Sequence, residues 1–393
     1  MKNAFTAALI LVLLSGIVSI QLNSQGISSR KDIHASRVVV AQGGYFPKLL
    51  LRKNGELLAT FKTGAPHSGK TGRASLSRSV DGGYTWSRPV TIFDIPDADD
   101  STDALGELSD GTLLFAAVSY TWKGEQYSDE SFRADTYVIH SHDDGATWMP
   151  PLKVNTTPFT WSYPYGRILT LDDGTLLLSC FGGYLPKDSE DSQAHSERQP
   201  AKREELRGDF AFVVRSHDGG KTWGNSSLVA RHYNEITIMP LKNGALLAVI
   251  RSDTGGHLAT TISSDQGQTW SAPKQITADQ EHPGDLIRLA DGRILMSYGE
   301  RNRPYGIRAL LSSDEGISWD KENTLELATD GDHPDLGYAV SVQRNDRALV
   351  TLYYVVYGNP IFNGSEDGVV NAFTKAIIWQ LPDSQTRTNH ASH

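Results

Sequence analysis

An eight-residue pattern occurs five times along the chain and restricts the possible folds more than any other feature. One copy, SHDGGKTW at residues 216–223, shows the serine, aspartate, glycine and tryptophan that keep the same offsets in all copies. The aspartate can accept backbone N–H groups, the glycine can adopt a left-handed conformation, and the tryptophan can pack between strands. The pattern therefore predicts a recurring turn between strands, with a structural role. The other copies lie at residues 79–86, 141–148, 263–270 and 312–319.

A second pattern, a turn followed by an apolar strand, alternates with the first. Five copies begin with Asn-Gly or Asp-Gly, as in NGALLAVI at residues 243–250, and a sixth, at residues 345–352, has Arg347 in the glycine position. These dipeptides between apolar runs are strong hairpin signals, because primed turns require positive φ. The copies recur every roughly 50 to 70 residues, a period that indicates a propeller in a β-rich chain. We therefore predict an all-β fold, a six-bladed β-propeller of four-stranded antiparallel blades, over residues 35–383.

The two ends of the chain differ from this repeat region. Residues 1–25 contain one lysine, an apolar run and then small and polar residues, which is typical of a secretory signal peptide, with a single membrane anchor as the alternative. We expect a secreted or periplasmic protein without a stable membrane span after signal cleavage, and a disordered tail at residues 384–393. The formal net charge of −9 argues against general binding to nucleic acid but allows a local basic pocket.

The direction of the strands predicts which residues meet at one end of the central channel. In antiparallel blades, the starts of the first strands and the loops after the second strands share one face. Counting back nine residues from each turn glycine, or from Arg347, gives the positions at the channel mouth. These positions are Phe46, Thr102, Tyr165, Glu235, Pro283 and Tyr338. A glutamate there is costly unless it is partnered, so Glu235 either makes a structural hydrogen bond or accepts the phenolic proton of Tyr338.

Arginines and aromatic residues are predicted on the same face. Arg251 ends a second strand, and Arg301 and Arg303 begin the loop after the next one. Guanidinium groups bind carboxylate or sulfate with two parallel hydrogen bonds, so their convergence predicts a site for an anionic small molecule, although each alone could be a solvated surface group. Tyr165 and Trp122 could bind sugar rings there, with ordinary packing as the alternative. Two long loops, 119–134 and 185–209, are expected to stand over the site.

The alternating repeats resemble those of the sialidase superfamily, in which the first pattern is called an Asp-box. The resemblance covers residues 40–380 and implies a six-bladed propeller. It also implies that Tyr338, in GYAVSV, is the nucleophile of a retaining exo-glycosidase and that Glu235 is its base, an exception to the use of paired carboxylates. A neutral phenol deprotonated by glutamate would avoid repulsion by the carboxylate of an acidic substrate.

The resemblance also assigns the residues around this pair. It implies that Arg251 and Arg303, with Arg301 as the fallback, hold the substrate carboxylate. The first blade departs from the superfamily pattern, because Phe46 stands in place of an arginine and the loop at residues 62–75 lacks the acid/base aspartate. His67 in that loop is one expected proton donor, and Asp103 is the second candidate.

Three functions remain open on these residues. The first is an exo-glycosidase that cleaves a terminal acidic sugar from a glycan. The second is a polysaccharide lyase on uronate-containing glycans, in which a tyrosine or histidine removes a proton. The third is a glycan-binding propeller without turnover. No cofactor or metal is expected, because HPGD and HPDLG, which contain His282, Asp285, His333 and Asp335, lack a standard ligand spacing and the acidic run at residues 94–103 lacks an EF-hand pattern.

Overall fold

The computed structural model describes Ile33 and residues 35–124, 132–184, 209–358 and 371–382. All regular structure within these ranges is β, which confirms the all-β prediction, and none of it is a helix that could span a membrane. The expected signal peptide, the tail at 384–393, most of the loop at 185–209 and the middle of the loop at 119–134 lie outside the described residues.

The described ranges form 24 strands. The chain begins with β1 (Ala35–Gln42). The first repeat forms β2 (Tyr45–Leu51), β3 (Leu57–Thr63), β4 (Arg73–Ser79) and β5 (Val90–Phe93). The second repeat forms β6 (Asp99–Glu107), β7 (Leu113–Thr121), β8 (Arg133–Ser141) and β9 (Leu152–Lys153). The third repeat forms β10 (Trp161–Thr170), β11 (Leu176–Gly183), β12 (Phe210–Ser216) and β13 (Gly224–Arg231).

The remaining strands belong to the last three repeats. The fourth repeat forms β14 (Tyr233–Pro240), β15 (Leu246–Ser252), β16 (Leu258–Ser263) and β17 (Lys274–Gln275). The fifth repeat forms β18 (Glu281–Arg288), β19 (Ile294–Glu300), β20 (Gly306–Ser312) and β21 (Leu325–Ala328). The last repeat forms β22 (Leu336–Gln343), β23 (Leu349–Val356) and β24 (Ala372–Trp379).

These strands form a propeller-like arrangement of four-stranded antiparallel sheets. Four sheets have four strands, and a fifth has eight in the order β13-β12-β11-β10-β6-β7-β8-β9. The two antiparallel halves of the large sheet are joined by a short parallel pairing of Gly166 with Ala104 and Arg167 with Leu105. The first strands of the repeats contact one another in the order β2, β6, β10, β14, β18 and β22, and β22 contacts β2. Residues at the starts of these strands are therefore brought together around one axis.

The N-terminal strand completes the C-terminal sheet. That sheet has the order β1-β24-β23-β22, and the antiparallel register pairs Ala35 with Trp379 and Gln42 with Phe373. The last repeat has no copy of the eight-residue turn pattern. Its outer strand is instead supplied by the segment that precedes the first repeat.

The eight-residue pattern forms the predicted turn. Ser216 Oγ donates a hydrogen bond to Asp218 Oδ1 at 2.7 Å and accepts one from Gly220 N at 2.8 Å. Asp218 Oδ1 also accepts from Thr222 N at 2.9 Å, and Trp223 Nε1 donates to Gly220 O at 2.9 Å. The same carboxylate bonds recur at Asp81, Asp143, Asp265 and Asp314. The structural role of the pattern is confirmed.

The turns between first and second strands are hairpins, as predicted, but of a different type. At the first of them the left-handed conformation belongs to the glycine, Gly55, with φ of 88°. Gly55 N donates to Arg52 O at 2.9 Å, and Arg52 N donates to Glu56 O at 2.9 Å. This pattern describes a three-residue loop with glycine at the bulge position, rather than a two-residue primed turn. Arg347 occupies the equivalent position with φ of 67° although it carries a side chain.

The apolar core lies between neighbouring sheets, whereas the axis is polar. Leu57 and Phe61 of β3, for example, pack with Leu352 of β23 and are fully buried. At the axis, Arg167 NH2 donates to Asp285 Oδ2 at 3.0 Å and to the carbonyl of Ser341 at 2.8 Å. Because these bonds link β10, β18 and β22, they help to fix the positions of three sheets that contribute to the site described next.

Candidate active site

Four of the six predicted channel-mouth residues, Phe46, Tyr165, Glu235 and Tyr338, line one cavity of about 200 Å³. Phe46, Glu235 and Tyr338 have φ values of 51°, 35° and 51°. Each lies where the pairing of its strand with the next one shifts register. A left-handed conformation costs a non-glycine residue roughly 1–2 kcal/mol, and such strain is concentrated at functional sites. The irregular strand starts therefore present three side chains to one cavity.

Tyr338 and Glu235 form a hydrogen-bonded pair at this cavity. The Tyr338 hydroxyl donates to Glu235 Oε1, and Arg251 NH1 donates to Glu235 Oε2 at 2.7 Å. Burial, reinforced by the charge of Glu235, raises the pKa of Tyr338 well above its ordinary value. Burial alone would also raise the pKa of Glu235, but Arg251, the Tyr338 hydroxyl and Arg301 outweigh it and hold that pKa below its ordinary value. The resting pair is therefore a neutral phenol and a carboxylate.

Arg301, rather than Arg303, is the second arginine of this group. The charge of Arg301 acts on both Glu235 and Tyr338. Arg303 is exposed, and its guanidinium carbon lies 4.8 Å from the ring centre of Tyr305. The superfamily resemblance ranked Arg303 first, with Arg301 as the fallback; the interaction of Arg301 with the pair favours the fallback.

Several buried polar atoms at or beside the cavity lack a hydrogen-bond partner among the described residues. They include the Nε atoms of Arg251 and Arg301, Oδ2 of Asp103 and Oγ of Ser101. Buried polar atoms nearly always have a partner. Two donors and a carboxyl oxygen without partners are the groups that a polar, anionic ligand with hydroxyl or amide groups would satisfy.

Asp103 and Lys48 form the buried charged floor of this region. Asp103 lines the cavity and is 6% exposed; burial raises its pKa to about 7, although the charge of Lys48 opposes this rise. Lys48 is also buried, and its Nζ lies 4.2 Å from the ring centre of Tyr165 and 5.2 Å from that of Tyr338. Ring faces attract cations. The sequence interpretation missed Lys48; a lysine within the apolar strand YFPKLLL was the available signal.

His67 reaches the cavity from the loop between β3 and β4. Its Nδ1 lies 3.3 Å from Asp335 Oδ2, and Tyr354 donates to the other oxygen of Asp335 at 2.5 Å. The His67 ring packs edge-on against Phe46 with 4.9 Å between ring centres. Phe46 in turn lies 4.8 Å from the ring of Tyr338. The histidine and the tyrosine thus both contact one phenylalanine ring.

A fully buried ion pair holds the loop that carries His67. Lys62 Nζ lies 2.5 Å from Asp99 Oδ1 and donates to the carbonyl of His67 at 2.9 Å. Asp99 Oδ2 accepts from Gly69 N at 2.7 Å. Asp99 belongs to the acidic run considered for calcium in the sequence interpretation, and the structure pairs it with lysine. Because Lys62 and Asp99 each bind a backbone atom of this loop, the ion pair fixes the position of His67.

Aromatic side chains form the remaining wall of the cavity. Tyr120, Tyr163 and Phe181 line it, and the last two are stacked with ring centres 5.0 Å apart. Trp122, predicted to bind a sugar ring, is buried and stacks on Tyr120 with ring centres 6.4 Å apart. It is not among the described residues that line this cavity.

Three of the four residues weighed as metal ligands have other partners. Asp285 binds Arg167, Asp335 binds His67, and the backbone N–H of Asp335 donates to His333 Nδ1 at 2.9 Å. Burial, together with the charges of nearby arginines, lowers the pKa of His282, so its imidazole is neutral. Within the described ranges, no group of three or more His, Cys, Asp or Glu side chains is arranged to hold a metal ion.

Comparison with known proteins gives consistent matches along the chain. The BNR repeat-like domain matches residues 25–176 and 108–352. A sialidase of Bacteroides fragilis (strain YCH46) is 24% identical over 285 residues, which are 64% of this chain and 49% of that protein. A sialidase of Paraclostridium sordellii is 25% identical over 214 residues, which are 49% of this chain and 48% of that protein. The chain therefore spans about half the length of these curated relatives.

Solved structures share the fold at low sequence identity. A protein of unknown function from Dyadobacter fermentans DSM 18053 superposes with a TM-score of 0.71 at 23% identity, covering 88% of this chain and 98% of that one. The intramolecular trans-sialidase from Ruminococcus gnavus superposes with a TM-score of 0.62 at 13% identity, covering 88% and 97%. Since the domain match extends over most of the sequence and the fold agrees, the chain belongs to the BNR repeat-like family of the sialidase superfamily.

Proposed function

We propose that this protein is an exported exo-glycosidase of sialidase type, which removes a terminal acidic sugar from a glycan. The observation that carries the proposal is the hydrogen bond from the Tyr338 hydroxyl to Glu235, in a cavity walled by aromatic rings. The names of the relatives support the same chemistry. Export rests on the signal-like residues 1–25. The architecture would be a six-bladed propeller over residues 35–383, with each half of the eight-stranded sheet counted as one blade.

In the proposed reaction Tyr338 is the nucleophile. Its oxygen attacks the anomeric carbon while its proton passes to Glu235, and the glycosidic C–O bond breaks as an acid protonates the departing oxygen. Water then cleaves the tyrosyl intermediate, and the proton returns from Glu235 to the phenolic oxygen. Two displacements at one carbon give net retention of configuration. The neutral resting phenol and the ionised Glu235 supply the protonation states that the first step requires.

Arg251 and Arg301 would hold the carboxylate of the acidic sugar. Arg251 uses NH1 on Glu235, which leaves its other donors for a ligand. Arg301 adds a second positive charge at the same pair. The aromatic ring of Phe46 stands where the superfamily resemblance places a third arginine, so this clamp has two arginines rather than three.

The size of the cavity supports removal of a single terminal residue. Its volume of about 200 Å³ lies below the roughly 300–1,000 Å³ of pockets for drug-sized ligands. A single sugar ring would fill it, and the remaining glycan would extend outward. Besides Tyr338 and Glu235, the cavity is lined by Asp103 and His67, and either of these could donate a proton to the departing oxygen.

A screen of sialosides and uronate-containing polysaccharides tests the proposal, with product measured by new reducing ends and by ultraviolet absorbance. We expect new reducing ends without ultraviolet absorbance, and loss of roughly 10²-fold or more of the rate in Tyr338→Phe. Tyr84→Phe, in an exposed turn, is the matched control and should retain full activity. Absorbing products would instead indicate a lyase. Binding without any product would indicate a glycan-binding propeller.

A further inference from the structure

We propose that His67, oriented by Asp335, is the proton donor to the departing sugar oxygen. This inference rests on the glycosidase function proposed above and assigns its missing acid. His67 and Tyr338 both contact the Phe46 ring, with ring centres 4.9 Å and 4.8 Å from it, and both line the cavity. They are thus placed to act on the same bond, one through the anomeric carbon and the other through the oxygen attached to it.

The partners of His67 are those of an oriented acid–base group. Asp335 contacts Nδ1, and a carboxylate at that nitrogen favours a proton there and fixes the orientation of the ring. Although burial would raise the pKa of Asp335, the contact with His67 and the hydrogen bond from Tyr354 outweigh burial and keep that pKa below its ordinary value. The carboxylate therefore stays ionised and is a hydrogen-bond acceptor for His67 Nδ1.

Burial distinguishes His67 from Asp103. The His67 side chain is 36% exposed, whereas Asp103 is 6% exposed. If the terminal sugar fills the enclosed part of the cavity, the glycosidic oxygen points toward solvent with the rest of the glycan. The partly exposed histidine is then next to the departing oxygen, and the buried aspartate contacts the retained sugar.

The proton balance of the reaction closes with this assignment. In the first step, the proton on His67 Nε2 moves to the departing oxygen as the glycosidic C–O bond breaks and the bond to the Tyr338 oxygen forms. In the second step, neutral His67 takes a proton from the attacking water, and the bond from the anomeric carbon to the Tyr338 oxygen breaks. His67 is protonated again at the end of the cycle, and Glu235 has returned its proton to Tyr338.

The leaving group provides the test, because 4-nitrophenolate departs without protonation and a sugar alkoxide does not. Wild type, His67→Ala and His67→Gln are compared on 4-nitrophenyl sialoside and on sialyllactose. We expect His67→Ala to lose about 10²–10⁴-fold of kcat/KM on sialyllactose and less than about tenfold on the aryl substrate. His257→Ala, which removes a histidine paired with Asp279 away from the cavity, is the matched control and should change neither.

Further outcomes distinguish the role of His67 from the glycosidase function on which it rests. Equal losses on both substrates, or a selective loss in Asp103→Asn instead, would overturn the role of His67 and leave the glycosidase intact. A folded wild type that cleaves neither substrate would overturn the glycosidase itself, and the donor with it. Asp335→Asn, which removes the carboxylate from His67 Nδ1, should lower kcat on sialyllactose with little change in KM and should leave cleavage of the aryl substrate nearly unaffected. An unchanged kcat on sialyllactose, or an equal fall on both substrates, would contradict the positioning role.

Discussion

The Tyr338 hydroxyl donates a hydrogen bond to Glu235, a residue 103 positions earlier in the chain and in a different sheet. Both residues have a left-handed backbone conformation at the irregular start of a strand, where regular sheet pairing is interrupted. The bond therefore depends on the arrangement of the sheets around the axis. Together with burial and the charge of Arg251, it keeps the phenol neutral and the carboxylate ionised.

Replacing Glu235 by glutamine should separate its chemical role from its structural one. Glu235→Gln retains a hydrogen-bond acceptor for Tyr338 but cannot take its proton, so we expect kcat to fall by about 10²–10⁴-fold. The change also leaves Arg251 without its carboxylate, at a cost of about 1–3 kcal/mol in the free energy of unfolding. Steady-state kinetics and urea unfolding measure the two effects. A variant with wild-type kcat would exclude Glu235 as the base.

Arg301 and Arg303 should differ sharply despite being two residues apart. Arg301→Ala removes a charge that acts on the Tyr338–Glu235 pair, and we expect kcat/KM on an acidic substrate to fall by about 10- to 150-fold, the equivalent of 1.5–3 kcal/mol. Arg303→Ala removes an exposed side chain stacked on Tyr305 and should change kcat/KM by less than about twofold. The opposite order of effects would restore the ranking suggested by sequence.

Asp103 should make the stability of the protein depend on pH near neutrality. Because its pKa is raised to about 7, the folded state binds the proton more tightly than the unfolded state, where a pKa of about 3.9 is usual. The free energy of unfolding should therefore fall as pH rises from about 4 to about 7. Asp103→Asn removes this loss and should be more stable than the parent at pH 8 by up to about 4 kcal/mol.

Urea unfolding between pH 4 and pH 8 measures this difference. The gain in Asp103→Asn should shrink toward zero at the acidic end, where the parent carboxyl is protonated. Asp172→Asn, at an exposed turn residue, is the control and should keep the parental pH dependence. A difference between Asp103→Asn and parent that is constant with pH would show that Asp103 does not titrate in this range.

Arg347 should be replaceable by glycine with a gain in stability. Five of the six repeat turns have glycine at the left-handed position, and the sixth has Arg347, whose φ is 67°. Arg347→Gly relieves strain of roughly 1–2 kcal/mol, partly offset by the greater freedom of glycine in the unfolded chain, so we expect a net gain of up to about 1 kcal/mol. Arg347→Ala removes the same exposed side chain without relieving the strain and should show no gain.

Repeats made most of the architecture predictable. The turn patterns mark the ends of strands within each repeat, and because strand direction alternates, Glu235 and Tyr338 could be placed on one face without coordinates. The pairing of β1 with β24 was not predictable in this way, because β1 carries no repeat signal and its partner lies at the other end of the repeat region. The type of the repeat turn was also missed, since Asn-Gly occurs in both loop lengths.

The site was less predictable than the fold where single side chains decide it. Arg301 and Arg303 share a loop, and loop geometry rather than periodicity determines which one approaches Glu235. The contact between His67 and Asp335 joins a loop of the first repeat to a turn before the last strand group, 268 residues away, so no local pattern reports it. Lys48 was missed for another reason: a lysine within a strand is ordinarily interpreted as a solvent-facing residue, so the pattern alone did not indicate that it is buried at the axis.

The antiparallel pairing of β1 with β24 has a consequence for how the molecule is assembled. During synthesis, Ala35–Gln42 emerge long before Ala372–Trp379, so the first strand stays unpaired, with its N–H and C=O groups bonded to water, until nearly all the repeats have been made. Without β1, the last sheet would offer β24 as an open edge to any neighbouring chain. We therefore expect that deletion of β1 would mainly cause the protein to associate through β24, and that the loss of local packing would be the smaller effect.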